Sequence, residues 1–305
     1  MMKLAKSART MLKETGTEWS KDKASQLGAA LAYYTAFSLA PLLIIAISVA
    51  GLLFGQSAVK GRVSEELTRI VGAKVAETVE QMIVQADRPV TGLVATIVST
   101  LTLLVAATAV IVHLKDALNA IWGVAPKPGR SIGPLLRDYI ISVGALLGIG
   151  FLLIVSLLLS TVLALFSKYI GHLLPLSEAL YALLNGAISF LIMSLMFALM
   201  FKFLPDIKIT WRSVWLGAVG TSLFFTIGKT AIGLYLGKQA FDSAYGAASS
   251  LAVVLAWAYY LAQVLFFGAE FTKVYARSRG DRVEPTVEAV RVPPRSAKVE
   301  APKPH

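Results

Sequence analysis

The sequence predicts an all-α integral membrane protein, six transmembrane helices in a bundle with an amphipathic outer segment between helices 1 and 2. Three observations predict it. The 305-residue chain is 56% hydrophobic and only 15% charged, against about 25% charged residues in a soluble domain. Six stretches carry no charged side chain: 24–59, 89–112, 139–167, 179–201, 213–228 and 243–269. The basic residues, finally, are divided unevenly among the segments between them. With a mean hydropathy of +0.68, these features exclude an ordinary cytosolic enzyme, a secreted disulfide scaffold and a disordered regulator.

About 20 apolar residues carry a helix across roughly 30 Å of hydrocarbon. Continuous apolar runs, rather than ten-residue alternating ones, select helices over a barrel. The spans are placed at about 28–54, 90–112, 139–167, 179–201, 213–236 and 243–269. The first run is trimmed because 36 residues exceed any plausible tilt. The fifth is charge-free only to Gly228 and reaches spanning length by continuing past Lys229.

Six spans put both termini on one side. That side collects 21 basic residues against 8 on the other, so both termini are expected in the cytoplasm. The same bias accounts for the net charge of +11, which is therefore not read as nucleic-acid binding, although it would attract the anionic lipid of an inner leaflet. No cleavable signal peptide is visible, since 23 mostly polar residues precede a first apolar run too long for a signal core. The chain has no cysteine, which removes disulfides, thiolate metal sites and cysteine nucleophiles.

Segment 1–27 reads as a basic amphipathic helix, Leu4, Ala8, Met11, Leu12 and Trp19 among Lys3, Lys6, Arg9 and Lys13. It either lies on the inner leaflet or is a frayed leader. In 56–88, Val59, Val63, Leu67, Ile70, Val71, Val75, Val79, Met82 and Ile83 recur at helical spacing. This segment either crosses the outer mouth of the bundle or serves as a plain connector. Residues 278–305, rich in Pro, Val, Glu and Arg, are expected to be a disordered cytoplasmic tail. No internal repeat of the kind found in many transporters is visible.

Polar residues within spans point to substrate paths or to helix pairing. The sixth span carries Tyr245, Ser249, Ala252, Ala256, Tyr259, Gln263, Phe266 and Glu270, alternating steps of four and three that keep all on one face. Glu270 could equally pair with Lys273 or cap the helix end. The fifth span offers Ala218, Ser222, Thr226, Lys229 and Gly233, with Lys229 snorkelling, pairing structurally or facing a substrate. The first offers Tyr34, Ser38 and Pro41, the proline kinking the helix. Asn185 and Ser189 read as interhelical glue, and Gly51/Gly55, Gly144/Gly148 and Gly233/Gly237 as close-approach pairs.

His113, Lys115, Asp116 and Asn119 cluster where the second span ends. The other histidines, His172 and His305, are remote in sequence, so no zinc site is assembled. No phosphate loop, nucleophile elbow or zincin motif is present. No catalytic residue, metal or cofactor is expected.

Three stretches resemble the YihY/BrkB family of bacterial inner-membrane proteins. They are Ala29–Leu42, Ala117-Leu118-Asn119-Ala120-Ile121-Trp122, and Tyr245-Gly246 followed by Trp257-Ala258-Tyr259-Tyr260 and Leu265–Thr272. The resemblance covers about residues 20–277. It implies a multi-pass protein of the bacterial cytoplasmic (inner) membrane with six helices and both ends inside. The family has carried the label ribonuclease BN, for which this sequence offers no catalytic constellation. Other members are named as virulence factors, and lipid or lipopolysaccharide traffic has been suggested for relatives.

The leading expectation is a transporter or flippase for an amphipathic, anionic envelope molecule such as a phospholipid. Tyr34, Ser38, Pro41, Ser222, Thr226, Lys229, Tyr245, Ser249, Tyr259, Gln263 and Glu270 would line the path, with Arg137, Lys202 and Arg212 attracting the headgroup. The alternative is a non-catalytic scaffold or envelope assembly factor. Partners would be membrane lipids and a homo-oligomer or envelope protein, with no nucleic acid; a small-solute channel is a third reading.

Overall fold

A computed structural model describes residues 2–38, 68, 73–86, 93–127, 178–238 and 249–292. Its helices are α1 (Met2–Lys21), α2 (24–38), α3 (Ala73–Ala86), α4 (Leu93–Ile121), α5 (Glu178–Phe203), α6 (Trp211–Lys238) and α7 (Ser249–Ser278). Four short strands, β1 (Val124–Pro126), β2 (Ile207–Lys208), β3 (Glu284–Pro285) and β4 (Ala289–Arg291), complete the described elements. The span expected at 139–167, the rest of the first span with Pro41, and Arg137, Tyr245, Gly51/Gly55 and Gly144/Gly148 lie outside the described residues. Among those described, Gly186–Phe203 and Leu251–Ser278 are long and apolar enough to cross a bilayer.

The helices outrun the charge-free stretches that predict them. α6 continues through Lys229 to Lys238, and α7 runs nine residues beyond Ala269. α7 ends where Gly280, at φ 73°, donates to the Arg277 carbonyl while Asp281 donates to Ala276. This is a paired C-terminal closure that only a left-handed residue permits. Gly123, at φ 64°, closes α4 in the same backbone region.

α7 is the centre of the bundle, packed against α6, α1, α3 and α4, and α5 packs on the far side of α6. Phe197 of α5, Phe225 of α6 and Trp257 of α7 link the three helices edge to face, with ring centroids 6.1 and 6.2 Å apart. Along the α6–α7 seam, glycine on one helix faces a larger residue on the other: Gly217 faces Thr272, Gly268 faces Thr221 and Gly228 faces Tyr260. The first two pairs share one antiparallel register, and the third is offset from it by one residue. Thr221 donates to the Gly217 carbonyl and Thr272 to the Gly268 carbonyl, each at 2.7 Å. Each threonine thus covers the glycine whose carbonyl the other threonine's hydroxyl caps.

α1 is a continuous helix from Met2 to Lys21. Only a turn at Asp22–Lys23 separates it from α2, and together they run antiparallel along α7. Glu14 meets Arg277, Glu18 and Asp22 meet Lys273, and Gly28 meets Gln263. The helix is amphipathic, as read, but its acidic face decides where it goes.

The expected disorder of 278–305 is also corrected as far as Val292. β4 pairs antiparallel with β1, and β3 with β2. Val292 donates to Gly123, Lys127 to Glu288 and Thr286 to Asp206. Composition misses this because the partner strands come from the turns after α4 and α5, far away in sequence, and each pair is only two or three residues long. Both ends of the described chain therefore sit at one end of the bundle.

Candidate functional site

The densest charged constellation is the clasp between α1 and α7. Glu14, Glu18 and Asp22 recur every four residues and share a face of α1, while Glu270, Lys273 and Arg277 step by three and four along α7. The Lys273 ammonium lies 2.6 Å from Asp22 Oδ2, 3.0 Å from Glu270 Oε2 and 3.3 Å from Glu18 Oε2. Arg277 adds contacts of 3.6 Å to Glu18 and 3.8 Å to Glu14, and Lys21 binds Glu18 at 3.1 Å. Burial pushes the Glu18 carboxyl up, but the Lys21 hydrogen bond with Lys273 and Arg277 outweighs it, leaving Glu18 below its ordinary value. The Glu18, Asp22 and Glu270 oxygens lie within 4.8 Å of one another, a spacing suited to a cation; the cation among them is the Lys273 ammonium.

Glu270 is fully buried, and its Oε1 has no hydrogen-bond partner. Two turns up the same face, neither polar atom of the Gln263 amide is hydrogen-bonded, although both are buried. The amide packs where a side chain on Gly28 of α2 would stand, so the glycine makes room for it.

The other expected path residues are dispersed. Ser38 is buried, and Tyr34 stacks on His113 of α4 at 3.5 Å between ring centroids. This joins the first and second predicted spans through two residues read separately. Ser222 is buried with its hydroxyl unpartnered, whereas Thr226 is exposed and donates to the Ser222 carbonyl at 2.8 Å. Tyr259 is exposed, and Ser249 opens α7. Lys229 is half-buried and interacts within the chain. Along that face of the sixth predicted span, Phe266 and Glu270 are buried, Gln263 is half-buried and Tyr259 is exposed. Of the headgroup candidates, Arg212 is exposed. The Lys202 ammonium donates to the Ile209 carbonyl and lies 5.6 Å over the Trp211 ring, closing the α5–α6 turn.

A second buried polar cluster anchors the strand-paired end. Lys115 pairs with Asp206 at 3.1 Å. Asn119 donates to Asp206 Oδ2 at 3.0 Å and accepts from the Asp206 amide at 2.7 Å. Nearby, Thr210 and Ser213 donate to Asp281 at 2.7 and 2.6 Å. Those two bonds hold the Asp281 carboxyl below its ordinary range. Sequence reasoning singled out Lys115 and Asn119 without their partner, and passed over Glu18, Asp22, Thr221, Thr272 and Asp281. For the α1 acids the signal was there: three acids four residues apart, opposite the basic face.

Long apolar helices, buried charge clusters confined to one end and glycine seams between helices define an α-helical membrane protein. The chain belongs to the BrkB family: residues 15–292 match the family described as Virulence factor BrkB. It is similar to the UPF0761 membrane protein of Pseudomonas aeruginosa (strain LESB58), 29% identical over 252 residues that cover 81% of this chain and 58% of the relative. A UPF0761 membrane protein of Actinobacillus pleuropneumoniae serotype 5b is 27% identical over 247 residues, covering 79% of this chain and 84% of the relative. That of Verminephrobacter eiseniae is 29% identical over 266 residues, covering 82% and 59%. The chain thus spans 58% of the length of the Pseudomonas relative. No solved structure matches it.

Proposed function

We propose that the protein is a six-span transporter or flippase of the bacterial inner membrane. It would move an amphipathic, anionic envelope molecule such as a phospholipid, with both termini in the cytoplasm and no chemistry performed on the cargo. The observation that carries this reading is the Gln263 amide. Within an apolar helix, an unbonded buried amide costs on the order of 1–3 kcal/mol, and a passing headgroup would supply the missing partners. Ser222 adds an unpartnered hydroxyl on the neighbouring helix. The 21-to-8 division of basic residues supports the orientation.

Reconstitution tests it. Liposomes carrying a fluorescent phospholipid should lose inner-leaflet signal quickly with the wild type, and slowly with Gln263→Ala and Lys229→Ala. Rates equal to protein-free liposomes would sink spontaneous lipid movement. A second reading, a non-catalytic scaffold, draws on the end built from α1 and the strand pairs. It predicts that both substitutions are silent while loss of that end abolishes function.

A further inference from the structure

We infer that Glu270 is a proton-binding site and that its proton keeps α1 docked on α7. The first ground is charge balance. The clasp holds four carboxylates, Glu14, Glu18, Asp22 and Glu270, and three cations, Lys21, Lys273 and Arg277. One negative charge is left over. The second ground is geometric. The three donors of the Lys273 ammonium are matched by Asp22 Oδ2, Glu270 Oε2 and Glu18 Oε2. Glu270 Oε1 is left without a donor on a residue with 0% exposure.

A buried carboxylate short of hydrogen bonds is a costly place for charge, and a bound proton removes the excess without moving an atom. The charged groups acting on Glu270 are Lys273 of its own helix and Asp22 of the turn that follows α1. On the other elements packed against α7, Lys115 of α4 is paired with Asp206, and His113 of α4 stacks on Tyr34. Asp116 of α4 and Glu77 of α3 are exposed, and Glu80 of α3 is half-buried. Where α6 meets this stretch of α7 it presents Gly217 and Thr221, which are neutral.

The sign follows. With Glu270 protonated, each remaining carboxylate of the clasp has a cation, and α1 is held. Loss of the proton sets a second carboxylate charge against Asp22, and α1 loosens. The proton site stands on this geometry alone; only its use as a coupling ion would rest on the transport reading.

The chain contains no cysteine, so spin labels at Ser20→Cys and Ser278→Cys report the clasp without background. Both sites are exposed. In reconstituted protein the interlabel distance is expected to lengthen or broaden as pH rises from about 5 to about 9, a range in which an ordinary Glu is already ionised. With Glu270→Gln it should stay short throughout. Infrared difference spectra of the wild type over the same range should show a protonated carboxyl disappearing, a band absent from Glu270→Gln. A pH-independent wild-type distance, or no such band, would overturn the inference even if Glu270→Gln fails to fold. Lipid movement does not enter either readout, so its absence leaves this result untouched.

Discussion

The Thr221–Gly268 contact allows the α6–α7 seam to be tested by a designed clash. A Cβ on Gly268 would stand 2.9 Å from Thr221 Cβ and 3.0 Å from its Cγ2, and closer still to its hydroxyl. Real Cβ atoms do not approach so closely, and the obstructing atoms are the base of a stiff β-branched side chain. Gly268→Ala gains about 1 kcal/mol of helix propensity and loses about 1–3 kcal/mol to overpacking, for a net loss of up to about 2 kcal/mol. Gly186→Ala on α5, with nothing within 4 Å of the added carbon, keeps the whole gain. Thr221→Ala alone costs about 1 kcal/mol in packing and one hydroxyl bond. In the double variant the new methyl occupies the volume the threonine vacated, so the two changes should couple favourably by about 1–3 kcal/mol. Thermal unfolding of all four variants in detergent, read as midpoint shifts of a few degrees per kcal/mol, measures the cycle. Additive losses at 268 and 221, or a Gly268→Ala as benign as Gly186→Ala, would refute the close approach.

Asp206→Ala removes the carboxylate that faces buried Lys115 and the acceptor for Asn119. Breaking a buried pair from one side costs about 3 kcal/mol, and adding Lys115→Met should recover most of the lost midpoint. Asp281 gives a pH test. Because the Ser213 and Thr210 bonds lower its pKa, its stabilisation is complete above the unfolded value of about 3.9. It is lost as pH falls through the depressed folded value. Asp281→Asn should therefore flatten the acid limb of midpoint against pH; an unchanged limb would count against the two bonds.

Much of the helical content was legible because hydrocarbon imposes it: continuous apolar runs have few other solutions. The spans predicted at 90–112, 179–201, 213–236 and 243–269 coincide, over their described residues, with α4 to α7. Pairing was less legible. The Glu270–Lys273 contact could be read because i,i+3 neighbours meet on any helix. Its completion by Glu18 and Asp22 could not, since it depends on α1 folding back across some 250 residues of chain. The glycines show the same limit. Reading pairs four apart emphasised spacing within a helix, whereas Gly217, Gly228 and Gly268 matter through what the opposite helix places over each. Such register is a property of two segments and is written in neither. The strands of 284–291 were missed because two- or three-residue pairs carry no period.

The two sides of α7 differ in kind, and that difference bears on function. Toward α6 the contact is a steric fit of glycines against two threonines and a tyrosine, with both threonine hydroxyls donating to backbone carbonyls. Toward α1 and α2 the contact is polar, with seven charged groups, a buried carboxylate oxygen lacking a donor and an amide bonded to nothing. Separating α7 from α6 would empty a close-packed seam along most of its length. Separating it from α1 breaks ion pairs that are already partly hydrated at Arg277 and Glu14. If the bundle opens to pass a headgroup, it opens on the α1–α2 side, where Gln263 and Glu270 would be the first polar groups uncovered. A transport-dead phenotype of Gln263→Ala and a pH-frozen clasp in Glu270→Gln would then be two views of one movement.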